Sequence, residues 1–154
     1  MTYIGIDPGK SGAIAALNDN GELDCGQEPQ RNDATESDIA DFIAVCAACS
    51  KFAFIERVAA RPGQGVSSSF KFGQSYGFLR GLLIANGIPF EEVTPQKWQS
   101  AMGCLSKGDK NVTKARAQQL FPQLKITHAN ADAILIAEYC RRVRTGMITR
   151  KETA

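Results

Sequence analysis

The sequence predicts an α/β protein built on a mixed five-stranded sheet, with three antiparallel strands, then parallel strands, and helices at its flanks. Two observations support this prediction. Three short candidate strands separated by turn residues open the chain, and helical segments alternate with two further candidate strands behind them. The length of 154 residues, with 44% hydrophobic and 22% charged residues, is typical of one ordinary globular domain, residues 1–154.

Antiparallel strands are expected in the first thirty residues. The first is predicted in TYIGID, which stops at Pro8-Gly9, and the second in GAIAALN, after a turn. A strong turn signal, NDNG, is followed by ELDCGQEP, where we expect a third antiparallel strand that ends near Pro29. The opening of the chain therefore predicts a three-stranded meander.

A helix and a buried strand are expected next. Either Thr35 or Ser37 can cap a helix that runs to about Ser50. Its apolar face is formed by Ile39, Phe42, Ile43 and Cys46. The following segment, FAFIERV, is too apolar for a half-exposed strand and so predicts a buried parallel strand. Glu56, towards the end of that strand, is the exception to its apolar character.

The rest of the chain is predicted to contain a long helix, a strand and three further helices, in that order. The long helix is expected in SSSFKFGQSYGFLRGLLIANG, the strand in IPFEEV, and a short helix in TPQKWQSAMG. Asn111 can cap a helix in VTKARAQQLF, and the last helix is predicted in NADAILIAEYCRRVR. This order of strands and helices resembles that of the RNase H-like fold.

The cysteines and the apolar segments indicate a protein that works inside a cell. No apolar run approaches the roughly 18 residues that span a bilayer, and the first residues do not resemble a signal peptide. An odd set of cysteines argues against a disulfide framework: Cys25, Cys46, Cys49, Cys104 and Cys140. The CxxC pair lies in an apolar helical segment, so core packing is favoured over redox or metal chemistry.

Charge is distributed unevenly along the chain. Residues 1–50 contain nine acidic and two basic side chains, a net charge of −7, and the remainder contains sixteen basic and seven acidic ones, a net charge of +9. This asymmetry favours an anionic partner for the second part, nucleic acid being the usual one, although a solvated basic surface also explains it.

Two isolated carboxylates stand at the ends of apolar strands. Asp7 is followed by Pro-Gly where the first strand runs into a tight turn, and Glu56 ends a second strand in the same way. Such carboxylates would repel each other and would be costly to desolvate unless a cation lay between them. A divalent metal ion is the simplest cation that meets this requirement.

A third carboxylate and the single histidine come from the predicted last helix. Asp132 stands four residues after His128, a spacing that places both side chains on one face of a helix, where the helix start favours an anion. Three carboxylates and a histidine from separate segments suit a two-metal site that hydrolyses phosphodiesters. Oxygen ligands favour Mg²⁺ or Mn²⁺, and the single nitrogen ligand tilts the choice mildly towards Mn²⁺.

Each of these residues also has an ordinary structural interpretation. Asp7 can hold an Asx-turn, and Glu56 can pair with a neighbouring arginine. Asp132 can be a charge that favours a helix start, and His128 can cap the helix or face solvent. Their joint occurrence on these elements favours the metal site.

Several side chains after Glu56 are suited to DNA contacts. The loop and helix start ARPGQGVSSSFKF offer cations, hydroxyls and amides for phosphates in Arg61, Gln64, Ser68, Ser69 and Lys71. Phe70 can wedge between unstacked bases or pack in the core. A second basic group precedes and enters the penultimate helix and predicts phosphate binding by Lys107, Lys110, Lys114 and Arg116. Trp98 is expected to anchor the short helix by packing rather than to stack on a base.

Glycines recur every four residues along the long predicted helix. Gly73, Gly77 and Gly81 each cost about 1 kcal/mol relative to alanine in a helix interior, so a compensating contact is expected. The stripe permits close approach of another backbone, which is either the sheet of the same subunit or a second copy of the helix.

Four motifs in order carry a resemblance to a known family. They are GIDPGKSGAIA, FIERVAARPGQGVSSSFKFGQSYG, VTPQKWQSAMG and HANADAILIA, and together they resemble the RuvC-like Holliday junction resolvases, particularly the compact bacteriophage and organellar branch. The resemblance implies a homodimeric RNase H-like endonuclease that resolves Holliday junctions and other branched DNA by paired nicks leaving 5′-phosphate ends. It also implies two Mg²⁺ ions per site, for which Mn²⁺ substitutes, and a phage-encoded protein in the bacterial cytoplasm.

The resemblance assigns roles to individual residues. Asp7, Glu56 and Asp132 match the acidic residues of the family, and His128 falls where members carry a fourth acid or a histidine. In the bacterial recombination branch this partner stands three residues before the last acid, where this chain has Ala129. The four-residue spacing is similar to that of the organellar branch, and it leaves His128 open as a metal ligand or a proton carrier.

Two other classes of function compete with a nuclease. A noncatalytic module that binds branched DNA needs the basic surface but not the acidic residues. An ATP-handling protein of the sugar-kinase type is suggested by the first motif alone, and 154 residues leave little room for its second lobe.

Overall fold

The computed structural model describes residues 1–24 and 28–149 and contains a five-stranded mixed sheet. Its strands are β1 (Thr2–Ile6), β2 (Ala13–Leu17), β3 (Gln30–Arg31), β4 (Ser50–Glu56) and β5 (Phe90–Val93). They lie side by side in the order β3-β2-β1-β4-β5. Strand β2 pairs antiparallel with β1 and β3, and β4 pairs parallel with β1 and β5. The predicted mixed sheet is therefore confirmed.

Helices cover both faces of this sheet. They are α1 (Glu36–Ala47), α2 (Val66–Ala85), α3 (Pro95–Ala101), α4 (Lys110–Leu120) and α5 (Ala131–Arg144). One apolar cluster joins side chains of α1 and α2 to one sheet face, and a second joins α3, α4 and α5 to the other. Strand β1 alternates between them, since Ile4 and Ile6 belong to the first and Tyr3 to the second.

Helix α5 lies directly on the backbone of β1 at Gly5. A Cβ atom added to Gly5 would lie 2.1 Å from the Ala137 nitrogen and 2.2 Å from the Ala133 carbonyl oxygen. No side chain fits between strand and helix at this point, so glycine is required there by packing rather than by its backbone angles. The close approach brings the start of α5 beside the carboxyl end of β1.

An ion cluster ties α5 to the turn after β2. Glu138 is buried and accepts hydrogen bonds from Arg141 Nε at 2.7 Å and Arg142 Nε at 2.7 Å. Arg141 Nη1 also donates to the Asp19 carbonyl oxygen at 2.9 Å. These bonds hold the pKa of Glu138 below its usual value even though burial acts to raise it. The cluster therefore fixes the carboxyl-terminal half of α5 against the turn after β2.

The described residues of ELDCGQEP, 22–24 and 28–29, do not form the predicted third strand. Leu23 makes only an isolated bridge to Leu17, and the strand that pairs with β2 is the short β3 at Gln30–Arg31. Residues 25–27 of this segment, which include Cys25, lie outside the described residues. Pairing is set instead by Asn32, whose N–H donates to the Gly12 carbonyl oxygen at 3.1 Å and so anchors the chain beside β2.

Helix caps follow the expected residue types with one correction. Thr35, rather than Ser37, caps α1 and forms a capping box with Asp38. Asn111 does not cap α4, because Asp109 accepts its N–H at 2.9 Å and starts the helix at Lys110.

The four described cysteines are free thiols, as the sequence predicts. Cys46 is buried with the α1 apolar face, but its CxxC partner Cys49 is exposed, so core packing holds for only one of the pair. Within the described ranges, no helix combines the length and apolar character needed to cross a bilayer.

The contact at Gly5 generates a test of the fold. Gly5→Ala is expected to lower the free energy of unfolding by about 3 kcal/mol or more, because the new methyl group meets backbone rather than a movable side chain. Denaturant unfolding followed by circular dichroism measures the change. Gly65→Ala is the control, since nothing lies within 4 Å of a Cβ added there, and it should change stability by less than about 1 kcal/mol. Equal effects of the two substitutions would contradict the packing argument.

Candidate active site

Asp7 is held in a tight turn where β1 ends. Its N–H donates to the Ala13 carbonyl oxygen at 3.0 Å, and its Oδ1 accepts the Gly9 N–H at 3.0 Å. Asn32 donates from Nδ2 to the carbonyl oxygens of Asp7 at 2.6 Å and Gly9 at 2.9 Å. A Cβ added to Gly12 would lie 2.3 Å from the Asp7 carbonyl oxygen and 2.6 Å from its Cγ. The Asx-turn expected as an alternative for Asp7 is therefore present, and it fixes the carboxylate.

Glu56 is the last residue of β4 and its carboxylate contacts an indole. Trp98 Nε1 donates to Glu56 Oε2 at 2.7 Å, and the Trp98 ring is fully buried. Among the described residues, neither Arg57 nor Arg61 forms an ion pair with Glu56, so the alternative of a neighbouring arginine partner is wrong. Trp98 packs in the core, as predicted, and additionally holds Glu56.

Asp132 is the second residue of α5 and projects from its first turn. Its Oδ1 is buried and has no hydrogen-bond partner among the described residues. Leaving a buried carboxylate oxygen unsatisfied is costly, and a ligand is one of the recognised reasons for such a group. The helix start favours the negative charge but does not satisfy this oxygen.

Burial shapes the electrostatics of Asp7. Desolvation raises the pKa of Asp7, the hydrogen bond from Gly9 lowers it, and the Asp132 charge raises it further. The positive charge of Lys110 lowers the same pKa. Asp7 therefore lies within electrostatic range of both Asp132 and Lys110.

Glu56 shares this environment. Burial raises the pKa of Glu56 to about 7, while the hydrogen bond from Trp98 acts to lower it. The charges of Asp7 and Asp132 raise this pKa further, and Lys110 lowers it. The structure thus brings together the three acidic residues predicted from the sequence, and it adds Lys110 beside them.

A cleft of about 430 Å³ opens beside Glu56 and Asp132. Its walls come from the loop after β4, from α3 and α4, and from the loop that joins these helices. They include Arg61, Gln96, Gln99, Leu105, Ser106, Lys107 and Lys110. Among the described non-glycine residues, Lys107 alone has a positive φ, 48°, so the α3–α4 loop adopts an unusual backbone next to the acids. Cations therefore lie along the rim of an acidic centre.

The acidic residues approach one another without closing into a ligand shell. Over residues 1–24 and 28–149, no group of three or more His, Cys, Asp or Glu side chains is gathered closely enough to hold a metal ion. Asp7 and Glu56 each have one oxygen turned to a protein donor, Gly9 and Trp98 respectively. Metal binding at this site stays a prediction.

His128 does not share a helix face with Asp132. The helix begins at Ala131, and His128 is exposed in the turn before it. Asn130 closes that turn, because its Oδ1 accepts the Thr127 N–H at 2.8 Å. The four-residue spacing is therefore not a helical spacing, and the role of His128 as a metal ligand or proton carrier stays a prediction.

The predicted DNA contacts before and within α2 are mostly exposed. Arg61 lines the cleft, whereas Gln64, Ser68 and Lys71 line a neighbouring groove of about 620 Å³ that also includes Lys10. Ser69 is half-buried in the same helix. Phe70 is 67% exposed, so the alternative of core packing is wrong for it, and wedging into DNA stays a prediction.

The basic group around α4 divides into two parts. Lys107 and Lys110 line the cleft, and Lys114 is half-buried outside its lining. Arg116 instead donates from Nε to the Met102 carbonyl oxygen at 2.7 Å and from Nη1 to Gln119 at 2.6 Å. Its guanidinium, which is half-buried, therefore holds the end of α3.

Some residues that shape the site were not identified from the sequence. Asn32 and Gly12 fix the turn of Asp7, Trp98 binds Glu56, and Lys10 lines the neighbouring groove. Gly12 carried a signal, since it lies in the first motif beside Asp7. The contacts of Trp98 and Asn32 join residues distant in sequence, and no local pattern indicates them.

Comparison with known proteins gives matches among solved structures. A structure of RuvC from Thermus thermophilus is 17% identical, with a TM-score of 0.61, over 95% of this chain and 97% of that chain. T. thermophilus RuvC in complex with a Holliday junction substrate is 15% identical, with a TM-score of 0.64, over the same shares. No protein-family model and no curated protein matches the chain. The fold is thus the RNase H-like fold of RuvC, and the resemblance seen in the sequence is confirmed at that level.

Glu56 makes the stability of the metal-free protein depend on pH. Because the pKa of Glu56 rises from 4.5 to about 7 on folding, its protonation stabilises the folded state below pH 4.5, and this contribution is lost as pH rises through about 7. The shift corresponds to at most about 3 kcal/mol. In EDTA, Glu56→Gln should therefore gain stability relative to the wild type as pH rises from 5 to 8, measured by denaturant unfolding at each pH. A constant difference between the two proteins over this range would contradict the shift.

Proposed function

We propose that this protein is a metal-dependent endonuclease that resolves Holliday junctions and cuts other branched DNA by paired nicks that leave 5′-phosphate ends. The observation that carries the proposal is the convergence of Asp7, Glu56 and Asp132 from β1, β4 and α5, within electrostatic range of one another and beside a cleft that Glu56 and Asp132 line. The fold adds support, because T. thermophilus RuvC in complex with a Holliday junction substrate has the same fold.

The donor chemistry of the site fits Mg²⁺, with Mn²⁺ as a substitute. Asp132 Oδ1 is buried without a hydrogen-bond partner in the part of the chain that the structure describes, and burial disfavours the charged forms of Asp7 and Glu56. Carboxylate oxygens in this condition are suited to a hard divalent cation. We propose two ions held by Asp7, Glu56 and Asp132, with His128 as a further candidate ligand. Bound ions would activate the attacking water and stabilise the leaving oxygen.

The protein itself binds the DNA backbone around this acidic centre. Arg61, Lys107 and Lys110 at the cleft rim offset the repulsion between phosphates and the buried acids. Gln64, Ser68 and Lys71 extend this surface along the neighbouring groove. Ser69 and Lys114 are proposed as flanking contacts and Phe70, which is exposed, as a wedge at the crossover.

Helix α2 supports the proposed homodimer. A Cβ added to Gly73, Gly77 or Gly81 would meet nothing within 4 Å, so these glycines do not allow a close approach to the described parts of the same subunit. Phe70 and Ile84 flank the stripe at helical spacing and are 67% and 66% exposed. An exposed strip of glycines with apolar ends suits a second copy of the helix, related by a two-fold axis. Such a dimer would place two sites on one junction.

The nuclease proposal is tested on a synthetic four-way junction. Asp7→Asn, Glu56→Gln and Asp132→Asn should each slow Mg²⁺-dependent nicking by at least about 100-fold, because each removes a charged ligand. Junction affinity, measured by gel shift with Ca²⁺ in place of Mg²⁺, should be retained. Asp41→Asn, an exposed acid on α1, is the matched control and should leave nicking unchanged.

Two outcomes would contradict this proposal. Binding of the junction without nicking in either Mg²⁺ or Mn²⁺ would favour a noncatalytic DNA-binding module. Nicking that persists in Asp7→Asn and Glu56→Gln would place the chemistry elsewhere in the protein.

The dimer is tested separately at the glycine stripe. Gly77→Leu should leave the subunit folded, because the side chain meets open space, but should shift the protein from dimer to monomer in light scattering after size-exclusion chromatography. Ala44→Leu, which adds the same bulk to an exposed position on α1, should not change the molar mass. A wild-type protein that is monomeric at micromolar concentration, or a dimeric Gly77→Leu variant, would argue against this interface.

A further inference from the structure

The hydrogen bond from Trp98 to Glu56 is an unusual use of a core tryptophan. Trp98 lies in α3, is 0% exposed, and belongs to the same apolar cluster as Met102 and Phe121. Its ring carries a single polar group, the Nε1–H, which donates only. That donor is directed at Glu56 Oε2, 2.7 Å away and 42 residues earlier in the chain.

The local structure holds this indole beneath the end of β4. Strand β5 pairs with β4 so that Val93 stands opposite Glu56, and the Arg57 N–H donates to the Val93 carbonyl oxygen at 2.7 Å. The chain then enters α3 directly, where Thr94 caps the helix by accepting the Lys97 N–H. The position of the ring relative to Glu56 is therefore fixed by strand pairing and by a helix cap, and not by a loop.

An indole differs from the other donors that this position can hold. A lysine or arginine would bring a positive charge that neutralises Glu56 and competes with a metal ion for it. Phenylalanine would fill the space but offer no hydrogen bond. The indole N–H satisfies one oxygen of Glu56 and leaves its negative charge in place for a cation.

We propose that Trp98 is a positioning residue, whose N–H fixes Glu56 Oε2 and so would leave Oε1 available to metal held together with Asp7 and Asp132. This inference rests on the proposed function, since it concerns how the same site binds its metal. Outer hydrogen-bond partners of metal ligands contribute about 10- to 100-fold to metal affinity or activity, which sets the scale of the expected effect.

The sequence contains a single tryptophan, so the contact can be observed without DNA or turnover. The ¹⁵N-labelled full chain should show one indole N–H signal, and its chemical shift should move and saturate as Mg²⁺ is added. In Asp7→Asn and Asp132→Asn, which lack a full set of ligands, the chemical shift should not change during the same titration. A wild-type signal that does not respond at Mg²⁺ concentrations that saturate nicking would overturn the inference.

The effect on metal affinity is tested with Trp98→Phe. The Mg²⁺ concentration for half-maximal nicking should rise about 10- to 100-fold, while junction affinity in Ca²⁺ stays within about 2-fold of the wild type. Phe121→Leu is the matched control, because it also replaces a buried ring of the same cluster with a smaller apolar side chain, and Phe121 has no polar group that could contact the site. It should leave the Mg²⁺ dependence unchanged.

The outcomes separate this inference from the proposed function. Equal Mg²⁺ dependence of Trp98→Phe and Phe121→Leu overturns the positioning role while metal-dependent nicking stands. Absence of nicking by the wild type at any Mg²⁺ or Mn²⁺ concentration overturns the proposed function itself. Should Trp98→Phe fail to fold by circular dichroism, the indole signal of the wild type still decides the question.

Discussion

The contact between the backbone of β1 and helix α5 at Gly5 determines where the acidic residues stand. Ala133 and Ala137 lie so close to Gly5 that no Cβ atom fits between them. Asp132 immediately precedes Ala133, and Asp7 follows Gly5 by two residues, at the end of the same strand. The packing of one helix on one strand therefore also sets the separation of two carboxylates. A larger residue at Gly5 would move the site together with the core.

The site combines two electrostatic requirements that oppose each other. Burial and mutual repulsion disfavour the charged forms of Asp7 and Glu56, and the hydrogen bonds that they accept come from neutral donors, a backbone N–H and an indole. The proposed DNA substrate would add further negative charge. Lys110 acts on both carboxyl groups, yet it lies at the cleft rim rather than paired with either of them. The acidic groups thus lie at the centre of the site, and the positive charge lies at its edge.

Local patterns predicted most of the fold, and distant contacts account for the rest. The apolar strands and the Thr35 cap follow from a few neighbouring residues. The third strand was misplaced because its pairing depends on Asn32, which bonds to a turn some twenty residues earlier. The three acids were identified because each stands out within its own segment. The contact of Glu56 with Trp98 was not identified, because no pattern in the segment of either residue indicates that the two side chains meet.

The glycines of this chain fall into two kinds that impose different constraints. Gly5 and Gly12 are required by the subunit, since a Cβ at either position would overlap backbone or the Asp7 carboxyl group. A Cβ atom added to Gly73, Gly77 or Gly81 would meet no described residue within 4 Å. Each of these glycines nevertheless weakens α2 by about 1 kcal/mol relative to alanine. A feature that destabilises the isolated subunit and relieves no clash inside it would be compensated by a contact of that surface with another molecule, as in the proposed homodimer. In that proposed dimer, a second copy of α2 would present the same exposed strip.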